Sequence, residues 1–145
     1  RRPSSMNTAI LAPAAALVVW SLIVLTWLVV TRIPALKAKG IDLTARPGGR
    51  GQNLEGVLPD VVNWKAHNYA HLMEQPTLFY ATVTVLALAG ATDLDVALAW
   101  GYVGLRIVHS LWQGLVNTIP VRLALFIAST TALAVLAVRA LLAAL

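Results

Sequence analysis

The chain has 145 residues, 59% of them hydrophobic and only 12% charged, with a net charge of +5. An average soluble domain carries about 25% charged residues, so a water-soluble globule is excluded and the apolar excess must face lipid. The positive charge gathers in one loop and reads as membrane topology, not as a nucleic-acid patch, and the absence of cysteine excludes disulfides, thiolate metal sites and a thiol nucleophile supplied by the protein.

Residues 1–5, Arg-Arg-Pro-Ser-Ser, precede Met6 and read as the remnant of an expression tag, with 6–145 as a single membrane domain. The first apolar run, Ala9 to Val30, is too long for a signal-peptide core and predicts a retained span, a helix over about 8–32 stopped by Pro34. Its Trp20 and Trp27, with Trp64, Trp100 and Trp112 further on, read as interfacial anchors or lipid-facing bulk. Residues 35–59 form the one long loop, with Lys37, Lys39, Arg46, Arg50 and the stretch Pro47-Gly48-Gly49-Arg50-Gly51.

A second helix is expected over 60–90, capped by Asp60 and ended by Gly90. Its first half is polar (Asn63, Lys65, His67, Asn68, His71, Glu74) and its second half apolar, with Pro76 predicting a kink beside Glu74. The acidic turn 91–95 leads into a third helix over 95–116, and the turn Asn117-Thr118-Ile119-Pro120 into a fourth over 119–142. The sum is an all-α integral membrane protein, a bundle of four transmembrane helices. The basic loop and the 117–120 turn fall on one side, placed in the cytoplasm by the positive-inside rule, and Arg139 is a mild exception on the other.

An ionisable group at mid-span costs about 2.5–3.5 kcal/mol on insertion scales, so those retained are candidates for function. Arg106, His109 and Gln113, at i, i+3 and i+7, share one helix face, as do His67, His71 and Glu74, and Arg122 opens the fourth helix just across the turn. Arg106 lies about 15 Å from the loop-side end of its helix. Mutual neutralisation of Glu74 and Arg106 would leave His109, Gln113 and Arg122 unexplained. The surplus positive charge suits an anionic ligand with a carboxylate or a thiolate. His71-x-x-Glu74 alone is a weak metal signal, and no metal is assigned.

Lys65-Ala66-His67, Met73-Glu74-Gln75-Pro76-Thr77-Leu78-Phe79, Gly104-Leu105-Arg106-Ile107-Val108-His109 and Pro120-Val121-Arg122, in that order along four helices, resemble the MAPEG family, membrane-associated proteins of eicosanoid and glutathione metabolism. The spacing from Arg106 through His109 to Arg122 is similar to the prostaglandin E synthase branch. The resemblance implies a homotrimer in the bilayer with glutathione bound between subunits, open to the cytoplasm. It implies that Glu74, Arg106 and His109 hold the tripeptide, that Arg32, His67, His71 and Gln113 join the binding set, and that Arg122 faces the sulfur as the catalytic residue. His71 stands where asparagine is usual, Ala70 where one branch has arginine, and Gln113 where tyrosine is usual. These departures suit a bacterial-type member, in an inner membrane, more than the eicosanoid enzymes.

The expected function is therefore activation of the glutathione thiolate for transfer to, or reduction of, an apolar small-molecule electrophile. The alternatives are a small proton-coupled transporter using Glu74 and a non-catalytic family member that binds glutathione or lipid.

Overall fold

A computed structural model describes residues 7–45 and 47–145; the tag reading at 1–5, Met6 and Arg46 lie outside the described residues. A 3-10 turn, Thr8–Ile10, leads into α1 (Leu11–Ala38), and α2 (Asp60–Glu74), α3 (Pro76–Ala89), α4 (Asp93–Leu115) and α5 (Ile119–Ala144) follow. The described residues form no strand. α2 and α3 run on as one kinked rod, so the five helices make four rods.

Two helix boundaries differ from the sequence expectation. Pro34 lies inside α1, which continues to Ala38. Proline's fixed φ suits a helix, and its missing N–H costs one bond close to the helix end, where Leu36 is buried and anchors the last turn. The second expected helix is divided at Gln75, which keeps right-handed helical angles (φ −58°, ψ −38°). Pro76 lacks the N–H that would bond the carbonyl of Leu72, so the ladder breaks while the chain direction is kept.

Thr8–Ala38, Asp60–Ala89 and Ile119–Ala144 are long and apolar enough to cross a membrane. α4, with 23 residues, is about 34 Å long. It turns its polar side chains inward: Arg106, His109, Ser110 and Gln113 are all buried. The outer faces of α1 (Val18, Val19, Leu22, Ile23) and α5 (Leu123, Ile127, Val138, Leu141) are exposed and apolar. The interior is drawn from every rod: Ile10, Leu17 and Val24; Phe79, Val83 and Leu86; Ala99, Tyr102 and Val103; Leu133, Leu136 and Ala140. Phe79 and Tyr102 stack with ring centroids 4.4 Å apart. Between helices in lipid, such close packing and interhelical hydrogen bonds replace the hydrophobic effect as the cohesive terms.

Each end of the bundle is closed by polar contacts. Thr92 and Asp95 form a capping box at the start of α4. Arg139 of α5 donates to the same Asp95 and to Thr92 Oγ1, and Asn7 Nδ2 donates to the Ala91 carbonyl at 3.2 Å. At the opposite end, Asn63 Nδ2 holds the loop through the Leu54 carbonyl at 3.1 Å, and His67 of α2 pairs with Glu55. Between this loop and the end of α1 lies a cavity of about 1010 Å³, with Leu28, Ile33, Leu36, Ile41 and Leu54 among its apolar walls and Arg32 and Arg50 at its rim.

Candidate buried-arginine site

The polar face of α4 meets the α2–α3 break. Arg106 is fully buried, at 0% exposure, and its Nη2 donates both to His71 Nδ1 and to the His71 carbonyl, each at 3.1 Å. The acceptor carbonyl lies one residue before Leu72, whose own helical bond Pro76 removes, so the guanidinium meets the backbone next to the break. His71 must present an unprotonated Nδ1 to accept this bond, so its ring proton sits on Nε2. The imidazole of His71 stacks on that of His109, with centroids 4.9 Å apart and planes at 16°. Phe126 of α5 closes the group edge-on to His71 at 5.5 Å.

Among the described residues no carboxylate forms an ion pair with Arg106, although Glu74 lies within electrostatic range of it. Arg106 Nε and Nη1 are buried without partners, as is Gln113 Oε1 two turns further along α4. A buried donor or acceptor without a partner costs about 1–3 kcal/mol, and lipid offers no water to relieve it. The cluster therefore has open demand for a carboxylate-like acceptor and for a donor. Arg122, in the first turn of α5, directs Nη1 at Asn117 Oδ1 across the α4–α5 turn, and it lies within electrostatic range of both imidazoles.

Within one chain, the structure brings together His71, Arg106 and His109, with Gln113 and Arg122 beside them. Glu74 is exposed on the outer side of α2 and forms no ion pair with Arg106, and His67 is exposed and turned to Glu55. The shared α2 face expected for His67, His71 and Glu74 is not the inward one. Lys65, Asn68 and Leu72 are buried, and His71, one position from Leu72, reaches the interior from the edge. Arg32 stands apart in the loop-side cavity. Among the described residues, no group of three or more histidines or carboxylates could hold a metal.

Several residues in this seam escaped the sequence reading. Gln75 bridges two helices, accepting from Tyr102 Oη at 3.2 Å and donating to Thr130 Oγ1 at 2.8 Å. Asn68 Nδ2 donates to the Ser110 carbonyl at 3.0 Å, and Trp20 Nε1 to Ser110 Oγ at 3.0 Å. Buried Lys65 lies 5.1 Å over the Trp27 ring. Trp20 and Trp27 are thus interhelical rather than lipid-facing, whereas Trp100 is exposed as expected. The available signal was the helical row 65, 68, 72, 76, 79, 83, 86, which is continuous through the break and marks the inward side.

The sequence model of the MAPEG family matches residues 10–142. No curated protein and no solved structure matches the chain. The family match covers nearly the whole chain, so the chain belongs to the MAPEG family, which supports a glutathione-related function at a membrane in general terms.

Proposed function

We propose that this member of the MAPEG family is a membrane-embedded, homotrimeric enzyme that activates glutathione for transfer to, or reduction of, an apolar electrophile. The observation that carries this reading is the buried Arg106, with two nitrogens lacking acceptors, beside the His71–His109 pair and Arg122.

Glutathione fits that demand: its carboxylates suit the free N–H groups of Arg106, and its amide and ammonium N–H groups suit Gln113 Oε1. His71 and His109 supply ring nitrogens beside them. Bound there, glutathione contributes the nucleophilic sulfur that this cysteine-free chain lacks. Arg122 is assigned to the sulfur because it holds a cation near both imidazoles with only a neutral partner, Asn117. Arginine stays charged at any working pH, so Arg122 favours the ionised thiol over the neutral one. A free thiol ionises near pH 8.5. Lowering that by about two units corresponds to roughly 2.7 kcal/mol and about a hundredfold higher thiolate-to-thiol ratio.

An apolar partner has an entry from the lipid side. Phe126, Ile127, Thr130, Thr131 and Ala134 line a groove of about 270 Å³ on α5, and Phe126 borders both it and the histidine pair. Arg32 and His67 are turned to the loop of their own chain, so their expected roles require a neighbouring subunit, while Glu74 lies exposed beside the cluster, within electrostatic range of Arg106 and His71. Orientation follows from charge, with the 35–59 loop in the cytoplasm of a bacterial inner membrane. The transporter alternative would require a neighbouring subunit to enclose Glu74, which is exposed within one chain.

The test is an ultraviolet titration of glutathione with the detergent-purified protein beside Arg122→Ala. Thiolate absorbance at neutral pH is expected in the parent and absent from the variant. Saturating glutathione without absorbance in the parent would reduce the protein to a binding module.

A further inference from the structure

We propose that Asn117 is the positioning residue for Arg122, and that its lack of charge is required. The inference rests on the assignment of Arg122 to the glutathione sulfur and adds a residue to that site.

Asn117 is the one described non-glycine residue with positive φ, at 59°. Its N–H bonds the Trp112 carbonyl at 2.7 Å, beside that of Val116 at 2.9 Å, and so ends α4 in a left-handed cap. Glycine would adopt this conformation at lower cost, and asparagine is among the few other residues that tolerate it. The backbone thus does not require a side chain here. The side chain nevertheless has a partner: Oδ1 accepts from Arg122 Nη1. The turn between them is fixed independently, by Trp112 Nε1 donating to Thr118 Oγ1 at 2.9 Å and Arg122 N–H donating to the Thr118 carbonyl at 3.2 Å. Asn117 therefore links the end of one helix to the guanidinium at the start of the next.

The acceptor is an amide rather than a carboxylate, and this decides the electrostatics. Aspartate would fit the same backbone and accept the same bond, but would neutralise Arg122. An amide holds the guanidinium in place and leaves its charge for the sulfur. His71 on α2 and His109 on α4 lie within electrostatic range of Arg122, and both feel Arg106 as well; the one carboxylate in this neighbourhood, Glu74 on α2, acts on His71 and Arg106. The group that bonds Arg122 directly is the neutral amide of Asn117. When the thiol ionises, its S–H bond breaks, sulfur keeps the electron pair and the proton passes to bulk water, so no further reactant is needed.

The experiment follows the absorbance of bound glutathione against pH for the full chain, Asn117→Gly and Asn117→Asp, with glutathione affinity measured by calorimetry. Asn117→Gly keeps the cap, so it should fold and bind within about twofold of the parent while its ionisation midpoint rises by about one pH unit. Asn117→Asp should rise further. Unchanged midpoints in both variants would overturn the positioning role. An aspartate variant matching the parent, beside a shifted glycine variant, would overturn the requirement for neutrality. A parent with no absorbance would instead reject the Arg122 assignment, and this inference with it.

Discussion

Gly114 shows how closely single residues are fitted at the loop-side end of the bundle. A Cβ added there would lie 2.7 Å from two ring carbons of Trp27, nearer than real contacts allow. Lys65 Nζ also lies over the Trp27 ring, 5.1 Å from its centroid, so moving the ring would disturb a second contact. Gly114→Ala is expected to destabilise the protein by about 1–3 kcal/mol, the usual cost of overpacking, and to lower the melting temperature in detergent. An unchanged melting temperature would show that Trp27 moves freely and that α1 and α4 are less tightly apposed than they stand. Neither partner was legible beforehand. A tryptophan in an apolar helix carries no mark of which side it faces, and a glycine one position past Gln113 reads as neutral until its neighbour is known. Arg106, His109 and Arg122 were legible, because a charge in an apolar span is costly enough to demand a reason. Glu74 drew the same attention and stands exposed at the edge of the cluster, within electrostatic range of Arg106 and His71 but without an ion pair, since spacing gives a shared face but not which way that face turns.

Between elements, the sequence reading succeeded on existence and order and failed on joints. The four rods, the two short turns and the side on which each turn lies follow from apolar length and from Asp, Asn, Gly and Pro at the boundaries. The continuation of α1 through Pro34 and the division at Gln75 depend on how the backbone accommodates a missing N–H, and beside the second joint Arg106 donates to the His71 carbonyl from 35 residues away. The clasp at the far end is another such joint. Asp95 is 2% exposed and receives Arg139 from α5, so the arginine that looked like a topological exception ties two helices together. Removing the cation leaves a buried carboxylate unpaired, whereas removing the carboxylate charge leaves an amide that can still cap α4. Arg139→Ala should therefore lower thermal stability more than Asp95→Asn does. Melting curves of the two variants check the order, and the reverse order would mean that Asp95 acts as a cap alone.

At the scale of the whole molecule, one chain does not assemble the full set of basic residues expected to hold the ligand. Arg32 lines the loop-side cavity, while Arg106 and Arg122 belong to the α2–α4–α5 cluster. If the proposed trimer builds each site from two chains, Arg32 of one subunit serves Arg122 of the next. This makes a prediction that separates shared sites from self-contained ones. Chains carrying Arg32→Ala and chains carrying Arg122→Ala, each silent alone, are co-expressed in equal amounts. Around any mixed ring of three, one junction joins an intact Arg122 to an intact Arg32, so random assembly should restore about a quarter of the sites. Self-contained sites would give no recovery, because every chain carries one defect. Thiolate absorbance per trimer is the readout, with native mass spectrometry counting the chains. Recovery near the expected fraction would establish subunit sharing, and because any closed ring gives that same fraction, the count of chains by native mass spectrometry decides whether the ring is three-fold. Recovery of nothing, with both variants folded and assembled, would return Arg32 to the loop-side cavity and leave Arg106, His109 and Arg122 as a site complete within one chain.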